Sequence, residues 1–152
     1  MTARFKPTDM TTLKKHYPIL ENDFIRAGEA TIRIKTLLKT LNLDSGLIRR
    51  IAICSYEGEM NVVMHGKSGE LFIEISPHLI RLTLSDCGPG IQDIELAMTE
   101  GYSTATEAHR KLGFGAGIGL PNMKKNAGRF HISSEKGKGT SIVMTFPTQL
   151  QG

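Results

Sequence analysis

The chain is 152 residues long and carries 19 Lys and Arg against 15 Asp and Glu, a formal charge of +4, which is the size of one ordinary domain. With 39% hydrophobic and 22% charged residues it has apolar material for a single core, which excludes a disordered tail and a membrane protein. The cations, among them Arg4, Lys14, Lys15, Arg33, Lys39, Arg49, Arg50, Lys124, Lys125, Lys136 and Lys138, are scattered and form no stripe, so nucleic acid is not an expected partner.

Apolar runs are short, Ile51-Ala52-Ile53-Cys54 being typical, and the opening Met1-Thr2-Ala3-Arg4-Phe5-Lys6-Pro7 has no apolar signal core. Membrane association is therefore not expected, and the expected location is the cytoplasm. Cys54 and Cys87 stand apart, with neither a C-x-x-C pair nor a His at metal-ligand spacing. Both are expected as free thiols, Cys87 as a small residue in a tight loop or as a reactive thiol.

In chain order, Tyr17 to Ala27 contains a short apolar stretch that admits a strand. Ala30, Ile34, Leu37, Leu38 and Leu41 then line one face of a helix. A second helix is capped by Asp44 or Ser45 and carries Leu47, Ile51, Cys54, Gly58 and Val62 on one stripe as far as His65, with Gly66 and Gly69 ending it. From Glu70 the pattern alternates through Leu71, Ile73 and Ile75, turns at Pro77-His78, and continues from Leu79 to Asp86, which predicts two antiparallel strands.

Eleven of the sixteen glycines fall at or after Gly88, so the special loops belong to the second half. Gln92 to Gly101 reads as a short helix, Thr104 to Gly119 as a long polar, glycine-rich loop, and Pro121 to Ala127 as a helix with Pro in its first turn and Gly128 past its end. Phe130 to Ser134 and Thr140 to Phe146 pair across the Lys136-Gly137-Lys138-Gly139 turn. The expected fold is an α+β two-layer sandwich, with a mixed, mostly antiparallel sheet covered on one face by helices.

Three segments carry chemistry. Glu57, Asn61 and His65 are spaced four apart and form one ridge of the second helix. That ridge is either a solvated helix edge or a site in which Asn61 offers a neutral oxygen to a hard cation such as Mg²⁺ and Glu57 orients or deprotonates a hydroxyl or water. Glu59 lies about 200° round the helix from Glu57 and is the poorer candidate. In Asp86-Cys87-Gly88-Pro89-Gly90, at a strand end, the glycines let the backbone turn and approach a ligand, and the Asp86 carboxylate can accept from an exocyclic amine such as that of adenine; a plain turn has the same letters.

The third segment, Gly113-Phe114-Gly115-Ala116-Gly117-Ile118-Gly119-Leu120-Pro121, runs four alternating glycines into a helix start, which presents unencumbered N–H donors to a phosphate chain at the positive end of the helix dipole. It is not a P-loop: Gly66-Lys67-Ser68 supplies that motif's end, but Asn61 stands where its first glycine belongs. The dinucleotide fingerprint fails too, because Ile118, Leu120 or Asn122 occupies the place of its third glycine.

In order, Glu57-x-x-x-Asn61-x-x-x-His65, Asp86-x-Gly88-x-Gly90, Gly115-x-Gly117-x-Gly119-Leu120 and Gly139-Thr140 resemble the boxes of the GHKL ATP-binding fold. That superfamily includes type II topoisomerases, heat-shock chaperones, mismatch-repair proteins, sensor histidine kinases and bacterial anti-sigma-factor serine kinases. The resemblance covers residues 17–147, leaving 1–16 as a flexible N-terminal segment and 148–152 as a tail. With no transducer domain or sensor helices expected, the chain is most similar to the compact anti-sigma-factor and stress-switch kinases. Asp93-Ile94, Gly101-Tyr102-Ser103-Thr104 and the Gly119-Leu120-Pro121 step share that similarity.

The resemblance implies a Bergerat-type pocket for ATP and Mg²⁺ with a flexible lid over Ser103 to Lys111. Asn61 would hold the metal and Glu57 would act as general base or orient the hydroxyl. Asp86 would bind the adenine amine with support from Thr140, in a pocket shaped by Gly88, Gly90 and Ile91, with His65 on the metal-bearing ridge. Gly115, Ala116, Gly117, Ile118, Gly119 and Leu120 would hold the phosphates, and Arg110 or Lys111 would reach the γ-phosphate. One departure is that Tyr56 precedes Glu57 where the kinases commonly have Ser.

The implied activity is transfer of the ATP γ-phosphate to a Ser or Thr of an antagonist protein, with a sigma factor or anti-anti-sigma-like antagonist as partner. The alternatives are an ATP-gated binding module without transfer, a stand-alone ATPase domain, and a fold in which the glycines are only structural. A homodimer stays open, with Met10 and Leu13 as its candidate contacts.

Overall fold

The computed structural model describes residues 12–65, 67–91, 93–99 and 119–148. It contains a five-stranded sheet with helices on one face, in the order β1 (Leu13–Leu20), α1 (Glu29–Thr40), α2 (Ser45–His65), β2 (Ser68–Ile75), β3 (Leu79–Asp86), α3 (Ile94–Ala97), α4 (Gly119–Asn126), β4 (Arg129–Glu135) and β5 (Gly139–Pro147). The strands lie in the order β1-β2-β3-β5-β4 and every pairing is antiparallel, so no parallel pair occurs among the described residues. No helix among them is long and apolar enough to cross a membrane.

Alternation in the strands sends Leu71, Ile73, Ile80, Leu82, Leu84, Ile142, Met144 and Phe146 to the helix-covered face, where they are buried. The helices answer with Ile34 and Leu38 of α1, Leu47, Ile51 and Val62 of α2, and Met123 of α4. Asp44 caps α2 by accepting from Leu47 N at 3.0 Å. Gly58 lets α2 lie close on β3, since a Cβ there would come 3.1 Å from Leu84.

Several boundaries differ from the sequence expectation, among them the start of α4, at Gly119 and not Pro121. β1 begins at Leu13, four residues before Tyr17, and runs in register with β2 from Leu13 opposite Ile75 to Leu20 opposite Ser68. Backbone pairing carries Lys14, Lys15 and His16 into this strand although their side chains give no apolar signal; His16 stacks on Phe72 across the open face at 4.1 Å. Leu13, a candidate dimer contact, instead packs on the core, and Met10 lies outside the described residues. Gly69 does not end α2 but sits inside β2, where a Cβ would crowd the Ser85 carbonyl.

At the other end, Thr148 is buried, its N–H donating to His78 O at 3.1 Å and its hydroxyl to Pro77 O at 2.6 Å, so it closes the β2–β3 turn. α3 is shorter than Gln92 to Gly101, starting after Asp93, whose side chain caps Leu96 N. Both cysteines are free, and burial pushes the Cys54 thiol up to about 12 while Cys87 is exposed.

Candidate functional site

Helical spacing brings the ridge residues together. A Cβ built on Gly119, the first residue of α4, would lie 3.5 Å from Asn61 Oδ1 and 3.7 Å from Glu57 Oε2, so the glycine keeps open the space between the ridge and the start of α4. Asn122, one turn into α4, lines the same groove as Glu57 and favours the charged form of its carboxyl. Burial raises the Glu57 carboxyl above its ordinary range, and the neighbouring Asn122 opposes the shift. A carboxylate so raised is a better proton acceptor than an exposed one.

The second cluster sits at the end of β3. Asp86 Oδ1 accepts from Gly88 N at 2.9 Å and from Thr140 N at 3.2 Å, the residue opposite it on β5. Both of these bonds go to Oδ1, and none among the described residues is made to Oδ2. Burial raises the Asp86 carboxyl, opposed by those two N–H bonds and by the charge of His65.

Behind it, Ser134 Oγ accepts from Ile91 N at 2.6 Å, donates to Gly139 O at 3.2 Å and meets Thr140 Oγ1 at 2.9 Å. Having a single proton, Ser134 leaves Thr140 as donor in that last pair. The loop after Asp86 is thus tied to the β4–β5 turn, and Gly137 N adds a bond to Pro89 O at 2.8 Å.

Two glycines are required by this closeness. Gly90 has φ +80°, and its Cβ would strike the Glu135 carbonyl; Gly139 has φ +109°, and its Cβ would strike Asp86 O. Gly139→Ala is expected to cost about 1–3 kcal/mol in urea unfolding and to weaken nucleotide binding, because it moves the Asp86 loop.

Of the remaining expected residues, Gly88 is buried, Ile91 packs on the core, and Leu120 sends its side chain into the core. Arg110, Gly115, Ala116, Gly117 and Ile118 lie outside the described residues, as does the whole stretch expected as a lid. Asn122 and Ser134 were not among the residues expected at the site; each is a lone polar residue in no motif of that kind. Glu59 is correctly separated from the ridge. Its carboxylate is buried and accepts from Gly28 N, Ala30 N, Thr31 N and Thr31 Oγ1 at 2.7–3.2 Å, capping α1 from the neighbouring helix.

No group of three or more His, Cys, Asp or Glu able to hold a metal occurs among the described residues. The amide oxygen of Asn61 beside the space that Gly119 keeps open suits a hard cation held chiefly by phosphate oxygens and water, so the donor set fits Mg²⁺.

The raised Glu57 carboxyl also has a stability consequence. A folded-state pKa above the unfolded one gives stability that is complete below the ordinary value of 4.5 and is lost as pH rises through the folded value. Glu57→Gln is therefore expected to raise the Tm at neutral pH, with the gain vanishing in acid, as read by scanning calorimetry at both pH values.

A one-face α+β sandwich with an acid–amide ridge facing a glycine-led helix and a carboxylate at a strand end defines a nucleotide-binding protein. Residues 56–150 match the family described as histidine kinase-, DNA gyrase B-, and HSP90-like ATPase. The chain belongs to that family, and membership brings ATP binding with it.

Among its relatives, serine/threonine-protein kinase RsbT of Bacillus subtilis is 31% identical over 97 residues, 61% of this chain and 67% of that protein. Anti-sigma F factor of Thermoanaerobacter sp. (strain X514) is 35% identical over 94 residues, 59% of this chain and 62% of its own length. Anti-sigma F factor of Clostridium acetobutylicum is 32% identical over 124 residues, 77% and 83% of the two chains.

Proposed function

We propose that the protein is a regulatory kinase that transfers the γ-phosphate of ATP to a Ser or Thr hydroxyl of an antagonist protein, and that it also binds a sigma factor or related regulator. The observation that carries this reading is the Glu57–Asn61 ridge facing the start of α4, with a half-buried carboxyl whose pKa is raised. The names of the relatives, a serine/threonine-protein kinase and anti-sigma F factors, support it. The phosphoryl donor belongs to the cytoplasm, where this reading puts the protein.

Phosphoryl transfer is mainly positioning and charge stabilisation. Asp86 Oδ2 would accept from the adenine amine while Thr140 and Gly88 hold the carboxylate in place. Asn61 would hold Mg²⁺, which neutralises charge on the phosphates. Glu57 would accept the proton of the attacking hydroxyl as the hydroxyl oxygen bonds to the γ-phosphorus and the bond from that phosphorus to the β,γ-bridging oxygen breaks, releasing ADP.

Calorimetric titration with ATP tests the pocket. Asp86→Asn is expected to weaken binding about 10- to 100-fold, since an amide loses the charged acceptor. Asn61→Ala is expected to remove the Mg²⁺ dependence. Unchanged affinity in both variants sinks the pocket assignment. If Glu57→Ala leaves partner binding and all regulatory effect intact while no protein is ever labelled from ATP, the protein is an ATP-gated binder instead.

A further inference from the structure

An open groove of about 1040 Å³ runs between α1 and α2 and ends at Glu57 and Asn122. Along one wall, Ile32, Lys35 and Lys39 follow each other at helical spacing on α1; Arg49, Ile53 and Tyr56 do so on α2. Ile32 and Tyr56 are among the large apolar side chains left exposed, at 64% and 43%.

The charge in the groove is one-sided. Lys35, Lys39 and Arg49 are exposed, and none of the three forms a salt bridge among the described residues. Among the described residues of the lining the only acid is Glu57, at the end where the hydroxyl would react. Glu29 points its carboxylate to Arg33 at 2.8 Å, and Asp44 is engaged as the cap of α2, so neither neutralises the three cations.

We propose that this groove is the docking track for the phosphoacceptor segment of the protein substrate, and that it selects a segment with an apolar residue near the hydroxyl and acidic residues further along. The proposal rests on the kinase reading above. Exposed apolar area on both walls next to Glu57 receives the apolar residue, and the three cations receive the acids.

Spacing follows from helix geometry. Arg49 precedes Glu57 by eight residues of α2, about 12 Å at 1.5 Å per residue. An extended peptide covers that in about three to five residues. The acids therefore belong about three to five residues from the phosphorylated Ser or Thr.

The test uses fluorescent, Ser-containing peptides that carry Asp and Glu at that distance on either side of the Ser, with matched peptides carrying Lys there. Binding is read by anisotropy with ATP present, and transfer by label from radioactive ATP. Wild type is expected to bind the acidic peptide about tenfold or more tightly than its Lys counterpart, a preference that high salt erases. Lys35→Glu/Lys39→Glu/Arg49→Glu is expected to lose or invert the preference with the same ATP affinity and Tm as wild type.

Equal binding of the two peptides by wild type, no binding of either at millimolar peptide, or a preference that survives the charge reversal overturns the proposal. An acidic preference without any transfer leaves a basic peptide-binding groove and overturns its role as a phosphoacceptor track together with the kinase reading. Transfer to Ser with no acidic preference keeps the kinase reading and removes the track.

Discussion

Glu57→Gln is expected to lower phosphotransfer about 10²- to 10⁴-fold, the range of a positioned general base, while ATP affinity stays close to that of wild type. Gln matches Glu in shape, so the change removes proton acceptance and little else. The higher Tm expected for the same variant at neutral pH separates lost chemistry from lost structure. Because burial raises the Glu57 carboxyl, the acid limb of the wild-type rate profile should lie above the ordinary carboxylate range, with activity falling as pH drops through it. Single-turnover labelling of an acceptor across pH reads both results; transfer by Glu57→Gln at the wild-type rate would sink the base assignment.

Glu59→Ala is expected to destabilise the fold by about 3–5 kcal/mol, a large part of a domain's whole stability. The carboxylate takes hydrogen bonds from three backbone N–H groups and one hydroxyl at the start of α1, all buried, and Ala leaves these donors without an acceptor. Gly28, at the N-cap with φ +96°, has no side chain to replace it. Glu59→Gln should cost less, about 1–3 kcal/mol, because one amide oxygen still accepts while its NH₂ group confronts an N–H. Urea unfolding reads the difference as a shift in midpoint at constant slope. A loss below about 1 kcal/mol for Glu59→Ala would mean that α1 finds another cap.

The two acids stand two residues apart on α2 and do unrelated work. Glu57 faces the start of α4, where the nucleotide is proposed to bind; Glu59 faces α1 and holds the helix layer together. The same helix pair forms the wall of the basic groove, so the cap at Glu59 also keeps that wall in place.

What the amino-acid sequence determined by itself is whatever depends on neighbours along the chain. The four-residue spacing of Glu57, Asn61 and His65 makes a ridge in any helix, and the alternation from Leu71 to Asp86 makes two strands with one apolar face wherever they pair. Glycines at 88 and 90 after a strand-end acid, and at 139 before Thr140, mark the backbone turns directly.

Tertiary structure alone decided the rest. Nothing local in Lys14-Lys15-His16 says strand; pairing with β2 does. The order β1-β2-β3-β5-β4 sets Thr140 opposite Asp86, 54 residues away, and carries Ser134 behind it. Glu59 reaches the start of α1 only because α1 packs against α2. Such hydrogen bonds join residues far apart in sequence, and the burial that makes them strong exists only once the layers have closed.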